Sequence, residues 1–178
     1  MTVLAVTASE RAEFFVFVPL AVLSVAAAVG MVLSRNTIYS ALLLVVNFFC
    51  LAGLFLLLEA QFIAAVQVIV YAGAIMVLFL FVLMLLGVFR EDALVETIPG
   101  QRTAAAVLGV LLLAAVSFAL AKGGFSGGAG SLAAANQGGN VQAVGRLLFT
   151  RYVFAFEAVG TLLVVAAVAA LVLGKRRP

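Results

Sequence analysis

Histidine is absent from this 178-residue chain, cysteine occurs once, and charged residues make up only 10% of it. Each shortage removes a class of function. Without histidine, and with Cys50 as its one thiol, the chain alone cannot assemble the ligand sets that hold zinc, haem or an iron–sulfur cluster. A single thiol cannot form an internal disulfide, and its place in an apolar run assigns Cys50 to the core as a small hydrophobe. Neither GxGxxG nor a P-loop occurs, so nothing supports nucleotide binding. Soluble domains carry about 25% charged residues. A chain with 10% charged and 67% hydrophobic residues is therefore not an aqueous globule.

What fills the chain is hydrocarbon. Five runs are long enough to cross a bilayer, which takes about 20 apolar residues each: Phe14–Leu33, Ile38–Leu58, Phe62–Phe89, Thr103–Ala121 and Val153–Leu173. This predicts an all-α, polytopic membrane protein with five transmembrane helices in a single membrane domain, residues 1–178. Glu59, Ala60 and Gln61 alone separate the second and third runs, which implies a tight antiparallel hairpin. At about 1.5 Å per residue the third run spans about 42 Å, against a hydrocarbon core of about 30 Å. It must tilt, protrude or depart from regular winding.

The net charge of +3 reflects basic residues at span ends and does not indicate nucleic acid. One side would hold Arg35, Arg90, Arg102, Lys175, Arg176 and Arg177; the other would hold Arg11, Lys122, Arg146 and Arg151. Positive-inside weighting puts the C-terminus in the cytoplasm and the N-terminus outside. Glu10, Arg11 and Glu13 give a net negative lead to a long first run, unlike a cleaved signal. The segment Arg90–Arg102, with both charge signs and Pro99-Gly100, reads as a solvated cytoplasmic loop. Residues 122–145 contain eight of the sixteen glycines and read as a flexible loop. A short interfacial helix is expected over Val141–Thr150, where Val144, Leu147 and Leu148 recur at helical spacing. Small residues four apart (Ala26/Gly30, Ala60/Ala64, Ala105/Gly109, Ala166/Ala170/Gly174) suit close helix packing.

Few polar groups sit in or against the spans. Glu59 lies at the second hairpin, where it reads first as a solvated turn residue. Glu157 lies about one turn into the last span, placed to feel the helix dipole or to pair with Arg151 or Arg146. Intramembrane carboxylates commonly serve proton relays, so both are candidate proton-path residues. Asn47 is suited to hydrogen-bonding another helix, and Pro19 interrupts the first span's hydrogen-bond ladder. In the third run Gln67, Tyr71 and Gly73 stand together among apolar neighbours. Gln67 and Tyr71 are four apart and so belong to one face of an α-helix. They are either satisfied by neighbouring helices or part of a functional site, and Gly73 lowers the cost of a local change in winding such as a π-bulge. With no charged residue at mid-depth, the chain cannot conduct protons alone.

The run AAVQVIVYAGAIMVLFLFVLMLL (Ala64–Leu86) closely resembles the third span of the subunit J family of proton-translocating NADH:quinone oxidoreductases, respiratory complex I, whose mitochondrial counterpart is NADH dehydrogenase subunit 6. A second stretch, NVQAVGRLLFTRYVFAFEAVGTLLVV (Asn140–Val165), looks like the family's Leu-Phe-Thr and Phe-Glu signature. The resemblance covers the chain from about Ser34 onward. It implies a membrane-arm subunit lying between the quinone-site subunit and the antiporter-like subunits, beside a small glutamate-bearing subunit, in a bacterial-type inner membrane. It further implies a π-bulge around Tyr71, Ala72 and Gly73 whose straightening gates a water path, with Tyr71 as gate or water-wire partner; Gln67, Glu59 and Glu157 remain proton-path candidates from the residues themselves. FMN, iron–sulfur clusters and quinone would be bound by partner subunits, none by this chain, which would have no active site of its own. Gln67 stands where some relatives have a carboxylate, which weakens a titratable role for this span. The alternatives are a homologous module of a multisubunit sodium/proton antiporter, or a structural scaffold only.

Overall fold

The computed structural model describes residues 2–87, 100–122, 136 and 138–175. They form six helices: α1 (Thr2–Leu33), α2 (Thr37–Leu57), α3 (Gln61–Leu86), α4 (Gln101–Lys122), α5 (Asn140–Thr150) and α6 (Val153–Gly174). Among the described residues there is no strand. All but α5 carry a stretch long and apolar enough to cross a membrane. The all-α, five-span expectation holds.

The boundaries shift in instructive ways. Helix α1 starts at Thr2, well before the apolar run, because glutamate, arginine and alanine propagate a helix as readily as hydrocarbon does. Pro19 lies inside it without dividing it. Helix α3 ends at Leu86, not Phe89, on Gly87, whose φ of 60° is the left-handed conformation that stops a helix. Residues 88–99, and with them most of the expected cytoplasmic loop, lie outside the described part. So do 123–135 and 137 of the expected flexible loop. The rest of that loop corrects the expectation: α5 already begins at Asn140, and Val144 and Leu148 turn one half-buried side inward.

Helices α1 and α2 pack closely because small residues line their contact. Ala27 is buried in α1, and Ala41, Cys50 and Ala52 are buried in α2, which packs against both α1 and α3. A Cβ on Gly30 would meet the Leu43 side chain at 3.1 Å, and one on Gly53 would meet Leu20 at 2.9 Å. Between these points the Asn47 Nδ2 donates to the Ser24 carbonyl (2.8 Å) and to its hydroxyl (3.2 Å). The interhelical bond expected of Asn47 is thus made, to α1. At the tight connection Asn36 caps α2, its Oδ1 accepting from the backbone N–H of Ile38 and Tyr39. Ser40 donates to the Met31 carbonyl at the end of α1.

Helix α3 packs on α2 through Ala64, Gln67, Ala72 and Met76. By contrast, every described side chain of α4 and α6 is exposed. Of the small-residue pairs, Gly30 meets Leu43 and Ala64 is buried, whereas Ala26 is exposed and no described atom lies within 4 Å of a Cβ placed on Gly109 or Gly174. Apolar rods left uncovered by their own chain are surfaces for lipid or for other subunits.

Candidate functional site

The third span is wound in three pieces: α-helical over Gln61–Val66, π-helical over Gln67–Ile75 and α-helical again over Met76–Leu86. The expected irregularity at Tyr71–Gly73 is present, and it extends over nine residues instead of one turn. At its far end the Met76 N–H donates to the carbonyls of Tyr71, five residues back, and Gly73. Gly73 permits this winding. A Cβ there would press on the Val68 carbonyl at 3.3 Å, a backbone atom with little room to give.

The winding re-registers the helix. Ala64, Gln67, Ala72 and Met76 are 3%, 7%, 8% and 2% exposed, so the buried line advances by three, then five, then four residues. In a regular α-helix the residue after Gln67 on this line would be Tyr71. Instead Ala72 takes the place, and Tyr71 is turned aside and 45% exposed. This corrects the expectation that Gln67 and Tyr71 share a face, which presumed 3.6 residues per turn. Tyr71 rests edge-on against Phe48 of α2. Gln67 is the buried polar side chain of the described residues.

Glu59 contributes through its backbone. Its φ of 56° makes the hairpin turn, with the Ala60 N–H reaching back to the Phe55 carbonyl at 3.0 Å. The Glu59 carbonyl accepts from Asn136 Nδ2 (3.2 Å) and Asn140 Nδ2 (3.3 Å), while its carboxylate side chain is exposed. Asn140 Oδ1 in turn accepts from the Phe62 N–H at 2.8 Å, and its Nδ2 also donates to Asn136 Oδ1 at 3.0 Å.

Glu157 is not brought to this site. It lies on the exposed surface of α6, its carbonyl accepting from the Thr161 hydroxyl at 3.0 Å. The pairing expected with Arg151 or Arg146 is not made. Arg151 precedes the helix by two residues and Glu157 lies six further on, which does not put the two on one face. Phe156 beside it stacks edge-to-face with Phe149, joining α5 to α6 at 5.0 Å between centroids.

The structure therefore unites Gln67, Tyr71, Ala72 and Gly73 in one segment, sets Glu59 at the end of the same span, and leaves Glu157 apart. Sequence reasoning missed Phe48, Asn136 and Asn140. The two asparagines, four apart at the close of a glycine-rich stretch, were the one available signal. Among the described residues no three histidine, cysteine, aspartate or glutamate side chains converge, so this part of the chain offers no metal-ligand set.

Residues 27–173 match the family described as NADH-ubiquinone/plastoquinone oxidoreductase chain 6. The chain is 43% identical over 143 residues to NADH-quinone oxidoreductase subunit 10 of Thermus thermophilus, covering 78% of this chain and 76% of that protein. It is 36% identical over 165 residues to subunit J of Rhodobacter capsulatus, covering 91% and 81%. Chain 6 of the NAD(P)H-quinone oxidoreductase of Synechocystis is 34% identical over 178 residues, covering 94% and 83%.

Proposed function

Because the chain belongs to the NADH-ubiquinone/plastoquinone oxidoreductase chain 6 family, we propose that it couples quinone reduction to proton translocation through the winding of α3. It is a membrane subunit of NADH-quinone oxidoreductase. The observation that carries the coupling role is the π segment Gln67–Ile75, set at mid-span between regular helices.

A π segment is one residue out of register with an α-helix. Returning it to α-winding turns everything beyond it by about 100° and moves it by about 1.5 Å relative to what precedes. Here that turn exchanges Ala72 and Met76 on the face toward α2 for Tyr71 and Ile75. A methyl and a thioether give way to a phenol and a branched hydrocarbon, so the two windings differ in where a hydroxyl meets the neighbouring helix. The Tyr71 hydroxyl and Gln67 amide can hold water, but neither carries a charge across about 30 Å of hydrocarbon. The proton-bearing carboxylates belong to an adjacent small subunit, and FMN, iron–sulfur clusters and quinone to others. Glu59 and Glu157 stand at the outer ends of their spans, as entry or exit groups. The chain thus works without an active site of its own.

Gly73→Val tests this reading. In assembled complex in sealed vesicles, the valine Cβ crowds the Val68 carbonyl at 3.3 Å, and protons moved per electron should fall at least twofold. NADH oxidation by an artificial acceptor should persist. An unchanged proton yield leaves only a scaffold role.

A further inference from the structure

Helix α3 begins without a cap of its own: Ala60 stands at its N-cap and has no side chain able to accept a hydrogen bond. The first N–H groups of a helix have no partner within it, and a capping side-chain oxygen normally accepts from the second or third. In this chain that oxygen comes from another helix. Asn140 Oδ1, at the first position of α5, takes the Phe62 N–H, the second of α3, at 2.8 Å. The same amide turns its Nδ2 to the Glu59 carbonyl at 3.3 Å, and Asn136 reinforces that carbonyl at 3.2 Å. One side chain thus holds both strokes of the hairpin, the turn that ends α2 and the turn that begins α3.

We infer that Asn140 is a positioning residue that caps α3 from α5 and anchors the outer end of the π-containing span. This rests on the winding reading above. A change of register in Gln67–Ile75 must rotate one flank of α3 against the other. Gln61–Val66 is held by the asparagine amides, whereas beyond Met76 the other flank buries no side chain and ends on Gly87, with no described atom within 4 Å of a Cβ placed there. The rotation is therefore delivered to Met76–Leu86. Without the anchor the outer turn would yield instead, and part of the movement would be lost.

The test uses assembled complex carrying Asn140→Ala or Asn140→Asp, with hydrogen exchange at the start of α3 and protons per electron measured on the same preparations. Asn140→Ala should speed exchange of the Phe62 amide about five- to tenfold, the loss of one cap. It should lower protons per electron by a third or more. Asn140→Asp keeps the acceptor for Phe62 and loses the donor to Glu59, so its exchange should lie nearer the parent's. Both readouts are per complex or per electron, so reduced assembly does not mimic them. Unchanged exchange in Asn140→Ala overturns the cap. Faster exchange with an unchanged proton yield overturns the positioning role. Gly73→Val measured alongside separates the two ideas: if it lowers coupling and Asn140→Ala does not, only the anchor falls. If Gly73→Val leaves coupling intact, the winding reading falls first.

Discussion

Phe48 of α2 and Tyr71 of α3 meet edge to face, ring centroids 5.7 Å apart and planes inclined at 69°. The neighbouring Asn47 reaches in a different direction, to Ser24 of α1. Consecutive residues of one helix point about 100° apart, so α2 is tied to α1 by an amide and to α3 by a ring. Tyr71 can occupy this edge position because the π segment has turned it off the line that holds Gln67, Ala72 and Met76.

The ring and the hydroxyl of Tyr71 are separable. Tyr71→Ala removes the aromatic pair and should lower the subunit's stability by about 0.5–1.5 kcal/mol beyond the lost burial. Tyr71→Phe keeps the pair. Its thermal inactivation should match the parent's, while protons moved per electron fall. A phenylalanine variant with normal proton yield would restrict Tyr71 to packing.

Gly53 and Leu20 set the spacing of α1 and α2. Gly53→Ala places a methyl 2.9 Å from the end of the Leu20 side chain, a flexible group that can move aside. The cost should be about 1 kcal/mol, at the low end of overpacking, and larger for Gly53→Val. Leu20→Val in the same chain should recover part of it. Thermal denaturation of the four members of this cycle measures the coupling, and strict additivity would show that the two residues do not touch.

Asn47→Leu should destabilise the α1–α2 pair by about 0.5–2 kcal/mol, the range for a polar contact between membrane helices. Asn47 lies outside the π segment, so protons per electron should not change. Thermal inactivation and pumping, read on one preparation, distinguish this effect from that of Gly73→Val.

The distribution of basic residues predicts an orientation with the C-terminus in the cytoplasm. With Cys50 replaced by serine, Glu59→Cys should react with an impermeant thiol reagent added outside intact cells. Lys175→Cys should react only after the membrane is opened. The opposite pattern would reverse the topology.

The sequence was most legible where a property accumulates along the chain. The spans at Thr37–Leu57 and Val153–Gly174 fall within a residue of the expected limits, because hydropathy needs no knowledge of neighbours. A short helix over Val141–Thr150 was legible from spacing, and the folded chain extends it by one residue to Asn140. The winding of the third span was foreseen at Tyr71–Gly73 by resemblance and by the glycine, but its nine-residue length was not. Consequently the shared face of Gln67 and Tyr71 was wrong, since a periodicity argument assumes the helix type in advance. The roles of Asn136 and Asn140 were not legible, because their partners, Glu59 and Phe62, lie far away in sequence. Glu157 was correctly placed near the start of its helix, yet it makes no ion pair with Arg146 or Arg151.

Composition and order of residues by themselves determined a membrane protein of five spanning helices, the tight turn at Glu59, and a weak point at Gly73. Only the folded chain decided that Ala72 and not Tyr71 follows Gln67 toward α2, and that α3 takes its cap from α5. The reason is physical. Transfer into hydrocarbon is a sum over single residues, whereas the register of a π turn and the capping of an N–H depend on which atoms from remote segments arrive beside them.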